Sequence, residues 1–289
     1  MHSRSNTLAI AAITCSTGIW AFIFASAKFL DGTATAPQIC FLRYVGGALT
    51  LLIIAVSAQR RLSTYRSASA KGHFARAVCG CFGALAIIYA SATMPVVDAS
   101  GIGLLYVVIM IAFSVLIFGD RINGWRATGI ALCCAGAFAM LWSRGGFRSL
   151  DLAYMGPAAI ALLGALLLAL EGILIKGLSR NDTAVTVMLY VNLFGLAIMA
   201  IPAALAWQPL PILDIALLLL LGPLAILGQF LTILAYRLAD LSLVGPFEYS
   251  WLIFAALIGL AFGEVPPVGV LFGAALMMTG GVILAGRRV

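Results

Sequence analysis

The chain has 289 residues, 63% of them hydrophobic and only 9% charged, with a mean hydropathy of +1.13. Soluble domains run at roughly 45–50% apolar and about 25% charged residues, so this composition excludes a water-exposed fold. The net charge of +7 does not mark a nucleic-acid binder either, because the basic residues are scattered through short linkers and form no stripe or aromatic-interleaved platform.

Apolar runs of about 20 residues, long enough to cross roughly 30 Å of hydrocarbon as helix, recur along the chain. They predict an all-α polytopic membrane protein of ten transmembrane helices. The first five spans read as 7–29, 36–57, 74–93, 96–118 and 124–142. Ala25-Ser26-Ala27 in the first run imitates a signal-peptidase site, but the run is too long for a signal h-region and is read as a retained span. The second five read as 154–176, 183–206, 214–236, 241–262 and 266–286. Cys15, Cys40, Cys79, Cys81, Cys133 and Cys134 all lie in apolar runs without CxxC spacing, which predicts small hydrophobes rather than disulfides or metal ligands. No metal or cofactor is expected.

With the N-terminus in the cytoplasm, thirteen of the 17 basic residues fall on that side, and the opposite side holds only Lys28, Arg144 and Arg148. The positive-inside rule therefore predicts cytoplasmic N- and C-termini. The run 59–76, with five basic residues and His73, is expected at the cytoplasmic face against anionic lipid headgroups.

Sliding the chain on itself by 144 residues superposes Gly101 on Gly245, Gly119 on Gly263, Asp120 on Glu264, Gly129 on Gly273, Leu132 on Leu276 and Gly136 on Gly280. A shift of 148 pairs Ala21 with Ala169, Lys28 with Lys176 and Gly47 with Gly195. The chain thus divides into two five-helix repeats, 1–148 and 149–289. An odd number of helices per repeat inverts equivalent helices, the arrangement that supplies two near-equal states open to opposite sides.

Several of these residues also resemble a known signature: Trp20 followed by Lys28, Pro37 followed by Arg43, and Gly119-Asp120-Arg121 with Gly263-Glu264 closing helices four and nine. Over essentially its whole length the chain resembles the drug/metabolite transporter superfamily, in particular its EamA-type ten-helix bacterial members, and within them the YddG-type amino-acid exporters. The resemblance implies a bacterial inner-membrane transporter whose helices one to four and six to nine surround a cavity, with five and ten outside. The chain departs from the pattern at Tyr106-Val107, where a proline is usual nearby, and at Ala21, where glycine is usual.

A charge near mid-bilayer costs about 2.5–3.5 kcal/mol on insertion scales, so an ionisable residue inside a span faces a cavity or a partner. Arg43 is either a cation for a substrate carboxylate or gate, or a tether to neighbouring carbonyls. Glu248 is an ammonium partner or proton carrier, or else a member of an intramembrane ion pair or a protonated carboxyl. Asn192 and Gln229 lie deep in their spans, and Glu171 closer to an end. Trp20, Tyr89, Tyr106, Tyr190, Tyr249 and Trp251 suit either cavity walls or packing and anchoring, with mid-span Trp20, Tyr106 and Trp251 the first choices for walls. Gly245-Pro246, three residues before Glu248, is the expected hinge. Gly222-Pro223 is a further interruption of the helical pattern, and Gly156-Pro157 is either another or an ordinary first-turn proline. Asp98, Asp120, Asp151, Asp214 and Glu264 at span ends are expected to cap helices or complement their dipoles.

The predicted function is a secondary transporter or facilitator that exports small polar metabolites, chiefly amino acids including aromatic ones, by alternating access. A vitamin or nucleotide-like substrate is the alternative, and a passive channel a remoter one. The expected partners are a small-molecule substrate and membrane lipid. The chain has no Walker-type phosphate loop, no HExxH and only two histidines, which argues against an ATPase or an intramembrane enzyme.

Overall fold

The computed structural model describes residues 2–30, 33–58, 62–118, 124–143, 152–239 and 244–285. Gly119, Asp120, Arg121 and Asp151 lie outside the described residues. Within them the chain is helical: α1 His2–Phe24, α2 Ser26–Phe29, α3 Ala36–Ser57, α4 Ala70–Thr93, α5 Val96–Gly103, α6 Leu105–Phe118, α7 Gly124–Ser143, α8 Leu152–Leu178, α9 Ala184–Leu205, α10 Ile212–Leu238, α11 Trp251–Ala261 and α12 Val268–Ala285. Short 3-10 turns occupy Leu62–Tyr65 and Gly245–Ser250. Six segments are long and apolar enough to cross a bilayer by length and composition: Asn6–Phe24, Ala36–Ser57, Ala70–Thr93, Tyr154–Leu178, Ala184–Leu205 and Ile212–Leu238. Shorter apolar helices, Gly101–Met110, Ala127–Gly136, Phe247–Ala261 and Val268–Ile283, fall within the other four expected spans. Exposed Leu, Ile and Val side chains coat the outside, as expected where the surrounding solvent is hydrocarbon and every backbone polar group is satisfied within its own helix. The protein is an all-α polytopic membrane protein.

Where the helices start is set locally. Gln38 Oε1 accepts from the Thr35 backbone N–H at 2.9 Å at the start of α3, and Thr183 Oγ1 accepts from the Thr186 N–H at 3.1 Å at the start of α9. Both satisfy amides that a helix N-terminus leaves orphaned. Gly263 adopts φ +73°. Its N–H bonds the Leu260 carbonyl while the Glu264 N–H bonds the Gly259 carbonyl, the paired bonds of a Schellman cap that only glycine enters without strain.

One expectation is corrected. Gly222-Pro223 does not interrupt its helix, because Pro223 sits inside continuous α10, and Pro157 likewise sits inside α8, near its start. Breaks occur instead in the fourth and ninth spans, at Leu104 between α5 and α6, and in the 3-10 turn before α11. Leu104 and Glu248 are 144 residues apart, so the two breaks fall at equivalent positions.

Helix pairing follows the same exchange. Helix α1 packs on α10 as α8 packs on α4, α3 packs on α10 as α9 packs on α4, and α7 packs on α12. Glycines make the close approaches. A Cβ on Gly222 would lie 2.2 Å from the Gly46 carbonyl carbon, one on Gly136 would lie 2.5 Å from the Gly273 carbonyl oxygen, and one on Gly280 2.7 Å from that of Gly129. Between α3 and α9, Asn192 abuts Gly47 and the Tyr44 ring abuts Gly195, a reciprocal contact between positions 148 apart. Small residues let membrane helices approach where no hydrophobic force drives them together, so close packing supplies the stability.

Candidate functional site

Between the halves lies a cavity of about 800 Å³, including its mouth. Its walls come from α1 (Ile13, Ser16, Thr17, Trp20, Phe24), α3 (Arg43, Tyr44), α4 (Arg76, Gly80, Ala84), α6 (Tyr106), α8 (Leu168, Glu171, Gly172, Ile175), α10 (Gln229, Thr232, Tyr236), Glu248 and Trp251. None of these described residues belongs to α7, α9 or α12. Most lie between the middle of a span and the end at which the chain begins.

Three stacked rings form one wall: Trp20 lies 5.7 Å from Phe24, and Phe24 lies 5.2 Å from Trp251, centroid to centroid. The Arg43 guanidinium carbon sits 4.3 Å from the Tyr44 ring centroid and 5.7 Å from that of Trp20. Each such contact is worth about 0.5–2 kcal/mol, more as water is excluded. Arg43 Nε is buried with no hydrogen-bond partner among the described residues. Arg76 Nε stands 3.4 Å from Glu171 Oε1, and its Nη1 donates to the Val187 carbonyl at 2.8 Å, tying α4 to α9. Glu248, in the 3-10 turn, accepts from the Tyr236 hydroxyl at 2.7 Å through Oε1. Its Oε2 and the Gln229 Oε1 are buried without a partner among the described residues. Ser16 donates to the Gly228 carbonyl at 2.9 Å, and Thr17 meets Ser250 at 2.8 Å, so α1 is fixed to α10 and to the turn carrying Glu248.

Polar contacts join the helices at both ends. At the end away from the N-terminus, Lys28 pairs with Glu264, Phe29 meets Phe262 edge-on at 5.0 Å, and Gln38 Nε2 donates to the Gln208 carbonyl at 2.7 Å. At the N-terminal end, His73 Nε2 lies 2.8 Å from Asp182 Oδ2, Ser67 Oγ donates to the same carboxylate oxygen at 2.6 Å, and the His73 ring stacks on Tyr190 at 4.6 Å. Ser67, His73 and Asp182 do not form a hydrolytic triad, because serine and carboxylate share one imidazole nitrogen, Nε2.

The EamA-like transporter family matches residues 7–142. The riboflavin transporter of Rhizobium johnstonii is 30% identical over 226 residues, spanning 73% of this chain and 69% of that protein. The chain belongs to the EamA-like transporter family. The pseudopaline exporter CntI of Pseudomonas aeruginosa is 29% identical over 265 residues, 89% of this chain and 86% of that protein. A solved crystal structure superposes with a TM-score of 0.72 at 20% identity and covers the whole of both chains, a likeness of fold. The protein is a membrane transporter.

Of the residues the sequence singled out in this EamA-like chain, Trp20, Arg43, Tyr106, Glu171, Gln229, Glu248 and Trp251 meet in the cavity. Four others lie elsewhere. Tyr190 is stacked on His73. Tyr89 is 43% exposed on the outer surface. Asn192 is buried against Gly47, with Nδ2 donating to the Met188 carbonyl at 2.8 Å. Tyr249 is buried, with its hydroxyl beside Cys133. Gly245 and Pro246 open the 3-10 turn. Arg76 and His73, expected among lipid headgroups, are instead only 1% and 0% exposed. The Arg76 reading failed because its carboxylate partner, Glu171, is on α8. Tyr44 and Tyr236 carried no distinguishing signal in the sequence. Among the span-end carboxylates, Glu264 holds Lys28, Thr33 Oγ1 donates to Asp214 at 3.3 Å, and Asp98 is buried, accepting from the Tyr154 hydroxyl at 3.3 Å.

Proposed function

We propose that this transporter exports amino acids, aromatic ones included, from the bacterial cytoplasm by alternating access. The halves 1–148 and 149–289 rock about the central cavity, in an inner membrane with both termini cytoplasmic. One observation carries the reading: a single cavity joins a wall of stacked aromatic rings to Arg43, Gln229 and Glu248. Broad apolar faces accommodate side chains of varied shape, and buried polar groups left unpaired await a polar ligand. The likeness to a pseudopaline exporter supports outward movement. The basic residues concentrated on one side support the orientation.

A vitamin or nucleotide-like substrate is a second reading, favoured by the 30% identity to a riboflavin transporter. Reconstitution in liposomes preloaded with labelled amino acids distinguishes them. Saturable efflux, suppressed by unlabelled amino acids and impaired in folded Trp20→Ala, is expected. Efflux of labelled riboflavin or nucleoside with no movement of amino acids would reverse the substrate assignment. Single-channel conductance in place of saturable flux would replace the transporter mechanism by a channel.

A further inference from the structure

Two arginines line the cavity, and the protein neutralises only one of them. Arg76 has Glu171 at 3.4 Å and the Val187 carbonyl at 2.8 Å. Arg43, 2% exposed, has neither a carboxylate within ion-pair distance nor a carbonyl accepting from it among the described residues, and its Nε is unpartnered. The tether to neighbouring carbonyls is therefore not made. The polar neighbours of Arg43 are the Tyr44 hydroxyl and the thiols of Cys40 and Cys81, and that hydroxyl already accepts from Cys81 at 3.3 Å. Glu171, whose carboxylate feels the field of Arg43, is committed to Arg76. Glu248 accepts from Tyr236 and forms no ion pair with either arginine among the described residues.

A guanidinium has no neutral form to fall back on, so a buried one calls for an anion or water. The Tyr44 and Trp20 rings, 4.3 Å and 5.7 Å from the Arg43 guanidinium carbon, favour the cation without neutralising it. Beyond Trp20 the aromatic row continues, with Phe24 5.7 Å from Trp20 and Trp251 5.2 Å from Phe24. One strip of the cavity wall thus runs from an unneutralised cation to a broad apolar surface and contains no carboxylate.

Resting on the export function proposed above, we propose that this strip recognises aromatic carboxylates, the carboxylate pairing with Arg43 and the ring lying along Trp20, Phe24 and Trp251, and that an α-amine is not required. The transporter then exports aromatic 2-hydroxy acids as well as aromatic amino acids. A planar guanidinium suits the acid group because two of its N–H donors can meet both carboxylate oxygens in one plane. The aromatic row supplies the apolar surface for a ring, and it tolerates differences in ring shape because stacking needs only a flat face. Selectivity follows from which group goes unpaired. A ligand without a carboxylate leaves Arg43 buried and unneutralised, whereas a ligand without an amine leaves every contact of the strip intact.

The test uses the purified full chain in liposomes preloaded with labelled phenylalanine or with labelled phenyllactate, in which a hydroxyl replaces the amine. Saturable efflux of both is expected, each suppressed by an excess of the other. Phenylalaninamide, which keeps the amine and loses the carboxylate, is expected to compete about tenfold more weakly or worse, the loss of one hydrogen-bonded charge pair. Folded Arg43→Gln weakens phenylalanine and phenyllactate alike and erases their advantage over the amide. The three ligands on the wild type decide the question even if Arg43→Gln fails to fold. Phenylalanine efflux that phenyllactate neither shares nor suppresses overturns the proposal and leaves amino-acid export standing, and so does an amide that competes as well as phenyllactate. Undiminished affinity for both acids in folded Arg43→Gln overturns Arg43 as the carboxylate's partner. Phenyllactate efflux without phenylalanine efflux upholds the carboxylate site and overturns the amino-acid reading. Riboflavin efflux with neither acid moving overturns both.

Discussion

Cys133 and Met277 stand 144 residues apart in the chain and touch, the Cys133 thiol donating to the Met277 carbonyl at 3.6 Å. That separation is also the offset of the sequence repeat, so the two are equivalent positions meeting each other. A residue meets its own counterpart only beside a two-fold axis. Gly136 against Gly273 and Gly280 against Gly129 repeat the relation on either side.

Filling this seam should loosen it. Gly136→Val or Gly280→Val places atoms under 3 Å from backbone carbonyl oxygens, and overpacking of that kind costs about 1–3 kcal/mol. Thermal unfolding in detergent should show a clear drop for both. Gly156→Ala, where a Cβ meets nothing within 4 Å, should leave the midpoint in place.

Breaking the cavity ion pair should be expensive. Arg76 is 1% exposed, and removing one member of a buried pair typically costs about 3–5 kcal/mol, because the other charge is stranded. Glu171→Gln and Arg76→Gln should each lose most of the folded protein, read as monodisperse yield on size-exclusion chromatography. The double variant should recover part of it. Equal loss in all three would show that the attraction between the two charges is not what holds α4 to α8.

Lys28 and Glu264 close the end away from the N-terminus, each side chain about one-fifth exposed. A pair at the end of the bundle that keeps part of its contact with water contributes less to stability than a fully buried one, so its effect should appear in the open–closed balance more than in unfolding. Lys28→Glu and Glu264→Lys should each slow substrate exchange in liposomes with little change in thermal midpoint, and the double swap should restore the rate. Failure of the swap to restore it would mean that position, rather than charge pairing, matters there.

Cavity and packing residues should separate kinetically. Trp20→Ala removes a wall and Arg43→Lys keeps the charge but loses the planar stacking on Tyr44. Both should raise the half-saturating substrate concentration severalfold in fold-intact protein. Tyr89→Ala should change neither quantity. Asn192→Ala opens space beside Gly47 and should lower stability by about 1–2 kcal/mol through an unmade buried contact, with substrate affinity unaltered in what remains folded.

Local pattern was enough for the helices and the repeat. Span length and hydropathy are properties of a single segment in a uniform apolar solvent, and equivalent glycines mark the same packing need twice. Ionisable groups within spans were legible for the same reason: the cost of a mid-bilayer charge forces it inward, and Arg43 and Glu248 both line the cavity.

The fate of a residue near a span end depends instead on what the neighbouring helix presents. Arg76 reads as one more basic residue of a cytoplasmic run until α8 brings Glu171 to 3.4 Å. Tyr249 and Trp251 are close together in the chain, yet the rotation of the 3-10 turn sends one toward Cys133 and the other into the cavity. The sequence by itself determined that this chain is a membrane-embedded helical protein with an internal repeat, because burial in lipid acts on each segment separately. Which of its aromatic and charged side chains share a cavity was decided only by tertiary structure, because helix rotation and partner choice arise from packing between distant segments.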